Sequence, residues 1–497
     1  VLLRILVTLM AVITLWKISL TQDPKKFPLN LTIKTFYVFV KQKHYSWTLV
    51  AIISLGISTL IATLFSTSFQ TSLWGAIPKQ DGHALVNIFS YLIIFIAIAS
   101  NLKTRRQLNR LVMSIIALGV TLGVLGIVQN LGYNPFQFSS YTNMERIPLT
   151  MGNPIFAASL LCLTIATSLV ACSVVTYKGK FHNSYRISLI YHHILWTLII
   201  SIQITSLLHT LSRGSWISVG ILTCILCIGL CICIGWRVTL KVSLIFCISA
   251  IISLSTILIT EEKNSRPESG IADRIASIQS EVFDGDLNQR IPMWLSAWEI
   301  IVSRPWFADQ APPNKWLSVV TGYGPDMFRF VFPLNSPLDR SQNHLPIEAH
   351  NAHNLFLHQL FEQGVIGLLS SSLLFISIIV SSILLLIKKS PLVSTEYRII
   401  LIGIIAIMIS RAVEQSVGIG RISDLTVFWV MLGLIIALPN ILGNDSSIET
   451  TNSDPHNEII TESVSTNSST LWLVLPISLM TIIVCYISCA GHINYFR

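Results

Sequence analysis

The sequence predicts an all-α polytopic membrane protein with about 12 transmembrane helices. Of its 497 residues, 52% are hydrophobic and only 11% are charged. Apolar runs recur along the whole chain, and each is close to the roughly 20 residues that a helix needs to cross a hydrocarbon core. This composition excludes a soluble enzyme. The net charge of +9 is explained by the loops between spans, so it does not indicate binding to nucleic acid.

Twelve apolar segments are predicted to be membrane spans. They lie near residues 2–19, 46–66, 84–101, 109–131, 154–176, 188–208, 215–235, 238–260, 364–387, 399–417, 424–442 and 471–490. Every second connection is rich in Lys and Arg, which predicts that those connections face the cytoplasm. The connections predicted to face outward are 67–83, 132–153, 209–214, 261–363 and 418–423. This orientation starts the first span outside, so we expect a further span upstream of Val1 or an atypical first segment.

One outward connection is far longer than an ordinary loop. Residues 261–363, between the eighth and ninth spans, are polar and rich in Trp and Pro, and we expect them to form a folded lid on the outer membrane face. Trp294, Trp298 and Ile301 are predicted to share one face of a lid helix. The predicted organisation is an N-terminal bundle (1–260), the extracytoplasmic lid (261–363), C-terminal transmembrane helices (364–442), a polar cytoplasmic linker (443–470), and a last transmembrane helix with its tail (471–497).

Several chemistries are disfavoured by what the sequence lacks. No outward loop carries an Asp-x-Asp pair, and neither a Gly-rich phosphate loop nor an HExxH motif is present, which disfavours direct use of nucleotide sugars or ATP. All nine cysteines lie in apolar runs, so no disulfide framework is implied. The cysteines between Cys224 and Cys233 share one span, where they are more typical of small apolar residues than of a metal site. The sequence predicts neither a metal nor a cofactor.

The stretch Glu348–Gly367 carries three histidines at a predicted membrane–water boundary, His350, His353 and His358. His353 and Asn354 stand just before a helical pattern of apolar residues. A neutral imidazole there can accept a proton near pH 7, as a general base must. The alternative interpretation is an interfacial histidine that only satisfies backbone groups at a helix start.

Two arginines also lie in connections predicted to face outward. Arg213 lies in LSRGSW, in a short turn between two spans, and Arg290 lies in NQRIPMW on the lid. The planar guanidinium suits phosphate oxygens in bidentate fashion, so the two residues could hold a diphosphate. The alternatives are a snorkelling interfacial arginine for Arg213 and a plain surface charge for Arg290.

A further charged pair lies inside a predicted span. Arg411 and Glu414 are one helical turn apart near its outer end, and we expect them to pair with each other, because pairing lowers the cost of burying either charge. A role in a cavity is the alternative.

Four motifs resemble the O-antigen ligase family, also called the Wzy C-terminal family. They are GNP at 152–154, SRGSW at 212–216, GYGPDMF at 322–328 and HNLFLHQLFEQGVIG at 353–367. The resemblance extends from the turn at 74–82 to the VEQ segment at 413–415, and the span count and single large lid agree with it. The second HN pair, His350–Asn351, departs from the family pattern, but the spacing to Glu362 and Gly364 favours His353 as the match.

The resemblance implies a function and a set of site residues. Members of the family are inverting, metal-independent glycosyltransferases of the bacterial inner membrane, and they move glycans from polyprenyl-diphosphate carriers on its outer face. It implies a catalytic base at His353 and diphosphate-binding arginines at Arg213 and Arg290. His350, Asn354 and Tyr323 are expected as further substrate contacts. The acceptor, which is a glycolipid, a glycan or a protein, is not distinguished by these residues.

Two other classes of function stay open at this point. One is a transporter of a small anion such as bicarbonate, since some relatives are described as such and Arg411 and Glu414 suit an ion pathway. The other is a non-catalytic membrane scaffold that uses the lid as a docking surface.

The alternation of basic connections generates a direct test of topology. We expect a topology reporter fused after Lys241 to read as cytoplasmic and one fused near Asn288 to read as outside the membrane. A cytoplasmic reading at Asn288 would overturn the whole predicted orientation.

Overall fold

The computed structural model describes residues 4, 6–7, 9–10, 45–76, 82–133, 146–179, 186–264, 286–307, 314–335, 349–387, 394–418 and 420–443. Within these ranges the structure is helical and contains no strand. The helices are α1 (Ser46–Leu64), α2 (Phe69–Trp74), α3 (Leu85–Asn101), α4 (Arg105–Asn130), α5 (Pro154–Gly179), α6 (Arg186–His209), α7 (Arg213–Cys233), α8 (Trp236–Asn264), α9 (Asp286–Ser303), α10 (Lys315–Thr321), α11 (Phe328–Val331), α12 (Leu355–Ile387), α13 (Thr395–Ser416) and α14 (Ile422–Gly443), with a 3₁₀ turn at Phe332–Asn335.

Ten of these helices coincide with predicted spans. Nine helices in the described ranges are long and apolar enough to cross a membrane, and α3, with 17 residues, is a shorter apolar helix. A helix satisfies every backbone polar group within the segment, which is why apolar runs of this length adopt it. Most of the predicted span 2–19, the span 471–490 and the linker at 444–470 lie outside the described residues, so the count of twelve spans stays a prediction.

Small residues allow several of these helices to pack closely. A side-chain carbon added to Gly123 of α4 would lie 2.6 Å from Cγ2 of Ile202 on α6 and 2.9 Å from its carbonyl oxygen. Gly119 and Gly126 lie on the same side of α4, and their added carbons would meet Thr164 and Ser206. This seam of glycines holds α4 against α5 and α6, in the manner typical of membrane helices.

Contacts between connections define two ends of the bundle. At one end, which we call the basic end, Glu396 accepts hydrogen bonds from Arg105 at 3.0 Å and Lys178 at 2.9 Å. These two ion pairs bring together three of the Lys- and Arg-rich connections. This end therefore collects the connections that the sequence marks as rich in Lys and Arg.

The connections predicted to face outward meet at the other end, which we call the lid end. There, Arg146 Nε donates to the carbonyl oxygen of Thr210 at 3.0 Å, Ser72 Oγ donates to that of Pro325 at 2.9 Å, and a ring nitrogen of His83 lies 3.2 Å from that of Gly420. Five segments that are distant in sequence therefore converge on one surface. Which end faces outward stays a prediction.

The described part of the lid has a small hydrophobic core of its own. The helix α9 buries Met293, Ala297, Ile300 and Ile301 against a cluster that includes Phe328. Trp294, Trp298 and Ile301 lie on this helix at the predicted i, i+4, i+7 spacing, but their face is only partly buried, since Ile301 is 7% exposed and Trp298 is 54% exposed. The buried residues follow the i, i+4, i+7, i+8 spacing that starts at Met293, and Ile301 is at the edge of this arc nearest Trp298, so Trp298 falls outside it.

Candidate active site

Arg213 is the first residue of α7, at the lid end. Ser212 precedes it as the N-cap residue, and the turn before it is held by Arg146, whose guanidinium donates to the carbonyl oxygens of Thr210 and Leu211 at 3.0 and 3.4 Å. The N-terminus of a helix carries backbone N–H groups and a partial positive charge, which favour a bound anion. The half-buried side chain of Arg213 therefore adds a full charge at a point that already favours phosphate.

Arg290 lies on α9 and is fixed against the end of a membrane span. Its Nη1 donates to the carbonyl oxygen of Val417 at 2.6 Å, and Val417 is the C-cap residue of α13. The last carbonyls of a helix lack helical partners, so this bond satisfies one of them. Val417 also contacts the start of α7, where a carbon added to Gly214 would lie 2.8 Å from its Cγ2. Val417 thus connects Arg290 to the start of α7, the helix whose first residue is Arg213.

His353 lies next to the same lid helix. Trp294, one turn beyond Arg290, donates its Nε1–H to the carbonyl oxygen of Ala352 at 2.8 Å. The backbone N–H of His353 donates to Oδ1 of Asn351 at 3.0 Å, and His353 has a φ of 45°. A positive φ is costly for a residue other than glycine and is often found where function requires a fixed side chain. The lid helix that carries Arg290 is therefore joined both to the start of α7, where Arg213 lies, and to the segment of His353, and we call this meeting of elements the junction.

The other three residues expected to contact substrate have different surroundings. Asn354 caps α12, because its Oδ1 accepts the N–H of Leu357 at 3.1 Å. His350 is half-buried in the segment that leads to His353. Tyr323 is 0% exposed, and its hydroxyl donates to the carbonyl oxygen of Pro305 at 3.1 Å. Burial raises the pKa of Tyr323 to about 12, so the phenol stays protonated. In this conformation Tyr323 is a core residue of the lid, and its contact with substrate stays a prediction.

Glu362 connects α12 to the segment GYGPDMF. Its Oε2 lies 3.2 Å from Nε2 of His358, and its Oε1 accepts the N–H of Phe328 at 3.2 Å. Its backbone carbonyl accepts the N–H of Gly324 at 2.8 Å. These contacts are possible because α12 is broken at Gly364, which has a φ of 66° and abuts the backbone of Val320. The first turns of α12 are thereby held in place below His353.

A histidine outside the predicted site completes this buried group. The ring of His83, just before α3, lies 5.4 Å from the ring of His358, centroid to centroid. Burial lowers the pKa of His83 to about 3, and the neighbouring His358 acts in the same direction, so His83 is neutral at physiological pH. His83 thus joins His358 and Glu362 in one buried polar group.

The predicted pairing of Arg411 with Glu414 is confirmed, and the structure adds two partners. Nη1 of Arg411 lies 2.6 Å from Oε2 of Glu414 and donates to Oγ of Ser159 at 2.5 Å. Its Nη2 donates to Asp424, which also accepts from Ser159 at 3.0 Å. All four side chains are buried. A buried arginine that is satisfied on both sides joins α5, α13 and α14, and this favours a structural role.

Sequence reasoning missed four residues at the lid end. They are His83, Arg146, Arg421 and Asp424. The two arginines could have been found from the sequence. Lys and Arg concentrate in connections that face the cytoplasm, so an arginine in a short connection predicted to face outward is an exception that indicates a specific role. Arg421 is buried and its guanidinium lies 4.9 Å from the centroid of the Phe156 ring. His83 and Asp424 are identified only by the contacts that the fold creates.

Within the described ranges, no group of three or more His, Cys, Asp and Glu residues is placed to hold a metal ion. The expectation of a metal-independent activity stays a prediction.

Comparison with known families confirms the resemblance over the central part of the chain. Residues 196–372 match the family model described as O-antigen ligase. The matched segment is shorter than the region over which the motifs were recognised, but it contains Arg213, Arg290, Tyr323, His353 and Glu362. No curated protein matches the chain significantly.

The contacts of Glu362 generate a prediction about stability. We expect Glu362→Ala to lower the apparent midpoint of thermal unfolding in detergent, because the buried Phe328 N–H and the His358 ring lose their acceptor. A buried donor left without a partner costs about 1–3 kcal/mol. Glu362→Gln keeps one carbonyl oxygen and should lose less. Glu299→Ala, which removes an exposed carboxylate from α9, is the matched control and should change little. Equal midpoints for Glu362→Ala and Glu299→Ala would contradict the role given to Glu362.

Proposed function

We propose that this membrane protein, whose residues 196–372 match the family model described as O-antigen ligase, transfers a glycan from a polyprenyl-diphosphate carrier to an acceptor hydroxyl. The observation that carries the proposal is the junction at the lid end. Val417 contacts both the start of α7 and Arg290, and Trp294 connects the same lid helix to the backbone beside His353. Two guanidinium groups and one imidazole are the groups that such a transfer needs.

The two arginines would hold the diphosphate of the carrier. A guanidinium has five N–H donors, and the bond to the carbonyl oxygen of Val417 uses one of those on Arg290. Arg213 adds its own fork of donors beside the N-terminus of α7. In this arrangement the negative charge that develops on the leaving diphosphate is met by fixed positive charge, which stabilises the transition state.

His353 would act as the general base. A neutral imidazole takes the proton from the acceptor hydroxyl as the oxygen attacks the anomeric carbon from the face opposite the diphosphate. The bond between that carbon and the diphosphate oxygen breaks, and polyprenyl diphosphate leaves with the bonding electrons. The product has the inverted configuration, and the imidazolium returns its proton to solvent. Since the arginines neutralise the leaving group, the reaction needs no metal.

The location of the site agrees with carriers and acceptors that reside at a membrane. We place the protein in the bacterial inner membrane with the lid end on the outer face, because the short connections at that end are poor in Lys and Arg relative to those at the basic end. The acceptor would be a glycolipid, a glycan or a protein that approaches from this side. Asn354 and His350 flank the base in the sequence and would make further contacts with the substrate.

The transporter alternative was based on Arg411 and Glu414, and their contacts in the structure do not suit an ion pathway. Arg411 and Glu414 would have to exchange partners with a moving ion, but they are closed into the buried group with Ser159 and Asp424. The scaffold alternative gives no reason for a strained histidine beside two arginines. Glycan transfer gives His353 and the two arginines each a role.

Substitution of the two neighbouring histidines tests the proposed chemistry. We expect His353→Ala to reduce the turnover of a polyprenyl-diphosphate glycan by the roughly hundred- to ten-thousand-fold that loss of a general base typically costs. His350→Ala is the matched control, three residues earlier on the same segment, and should reduce turnover much less. Consumption of the lipid-linked glycan by purified variants, each checked for normal elution on size-exclusion chromatography, provides the measurement.

Arg213→Lys and Arg290→Lys should also be damaging, since lysine keeps the charge but loses the planar fork. If His350→Ala is inactive and His353→Ala turns over normally, the base is the other histidine. If neither substitution affects turnover, glycan transfer by this site is contradicted and an anion-flux assay becomes the next experiment.

A further inference from the structure

The lid helix α9 has a second apolar face that no described residue covers. Ile291, Leu295, Trp298 and Val302 recur at intervals of four, three and four residues, so they form one narrow stripe along the helix. They are 44%, 63%, 54% and 56% exposed, respectively. The opposite face is the one that packs into the lid core through Met293, Ala297 and Ile300.

The polar residues of α9 lie between these two faces. Ser296, Glu299 and Ser303 follow a helical spacing along one flank. A helix that packs on protein on one side and faces water on the other carries its polar residues opposite the buried face. In α9 the face opposite the buried one instead carries Ile291, Leu295, Trp298 and Val302. The outer face of α9 is therefore suited to an apolar partner.

The depth of α9 indicates which partner this is. Arg290 donates to Val417 at the end of α13, and Trp294 donates to Ala352 shortly before the start of α12. Both attachments are at the ends of membrane-spanning helices, where hydrocarbon gives way to lipid headgroups. A helix attached at this level and apolar on its outer side has the arrangement of an interfacial amphipathic helix.

The apolar stripe also continues onto a surface that faces lipid. In α10, Trp316 is 80% exposed and lies one turn from the partly exposed Val320. The carbonyl oxygen of Val320 abuts Gly364 of α12, and the next residues of that span, Val365 and Leu369, are exposed on its outer surface. Because α12 crosses the membrane, its outer surface meets acyl chains. The exposed apolar residues of the lid continue this surface beyond the lid end of the span.

We propose that α9 and α10 lie in the boundary between headgroups and acyl chains, with Ile291, Leu295, Trp298, Val302 and Trp316 in contact with bilayer lipid. The partner is thus the lipid surface, in preference to a second copy of the chain. Tryptophan is enriched at this depth in membrane proteins, and Lys315, which precedes Trp316, is placed to reach the headgroups.

The lipid contact has a consequence for the active site that rests on the proposed function. Arg290 immediately precedes the stripe, so insertion of Ile291 and Leu295 would hold its guanidinium at the level of the lipid headgroups. The diphosphate of a polyprenyl carrier lies at that level. The lipid surface would therefore fix the height of the lid relative to the carrier.

Photo-crosslinking tests the lipid contact without any reference to activity. The photoreactive residue p-benzoylphenylalanine replaces Trp298 in one variant and Glu299, the adjacent residue on the polar flank, in a matched control. Each full-length protein is placed in nanodiscs of phosphatidylethanolamine and phosphatidylglycerol, irradiated, and analysed by mass spectrometry of the intact chain. We expect a mass increase of one phospholipid at position 298, several-fold more abundant than at position 299.

Two outcomes would overturn the proposal. One is a lipid adduct at position 298 that is no more abundant than at position 299, and the other is a crosslink between two chains in place of the lipid adduct. A second variant with the photoreactive residue at Leu295 repeats the measurement on the same stripe if the Trp298 variant does not fold. Because the readout is a covalent lipid adduct, a failure here leaves the proposed glycan transfer intact, and inactivity of His353→Ala does not bear on it.

Discussion

The hydrogen bond from Arg290 to the carbonyl oxygen of Val417 is the contact on which the arrangement of the lid end depends. It connects the lid helix to the last residue of a membrane span, and the same residue touches the backbone at the start of α7. A carbonyl at the end of a helix is a strong acceptor that lacks a helical partner, and a guanidinium is the donor best able to satisfy it without losing its charge. With this bond in place, the lid helix is fixed beside the start of α7, the helix that begins at Arg213.

Backbone strain is concentrated at the lid end. The described residues other than glycine with positive φ are Leu149, Leu211, Arg304, Asp326 and His353, and all of them lie in connections at that end. Conformations of this kind cost about 1–3 kcal/mol each and persist only where contacts with the surrounding structure hold the backbone in place. Here the surroundings include the hydrogen bonds of Arg146 to the turn at Leu211 and of Asn351 to His353. The basic end, in contrast, is joined by ion pairs to Glu396.

Much of the fold could be predicted because a membrane reduces the choice of structure to apolar helices of fixed length. The described spans agree with the predicted segments to within a few residues at most boundaries, although α12 begins at Leu355, well before the predicted span. Arg213, Arg290 and His353 were recognisable because each carries chemistry at a predicted boundary or in a motif. The contacts around these residues could not be recognised from the sequence. His83, for example, meets His358 only because two spans that are distant in sequence pack together. The outward face of Trp298 also depends on tertiary packing, because α9 has two apolar faces and periodicity alone does not choose between them.

The proposed glycan transfer requires a diphosphate to bind between Arg213 and Arg290 and to face His353. Electron cryo-microscopy of the protein in lipid nanodiscs with a bound polyprenyl diphosphate measures this directly. We expect density for both phosphates between the two guanidinium groups, with Arg290 still hydrogen-bonded to Val417 and the His353 imidazole turned toward the terminal phosphate. Phosphate density away from both arginines, or a lid in which Arg290 has left Val417 and no longer approaches Arg213, would contradict it.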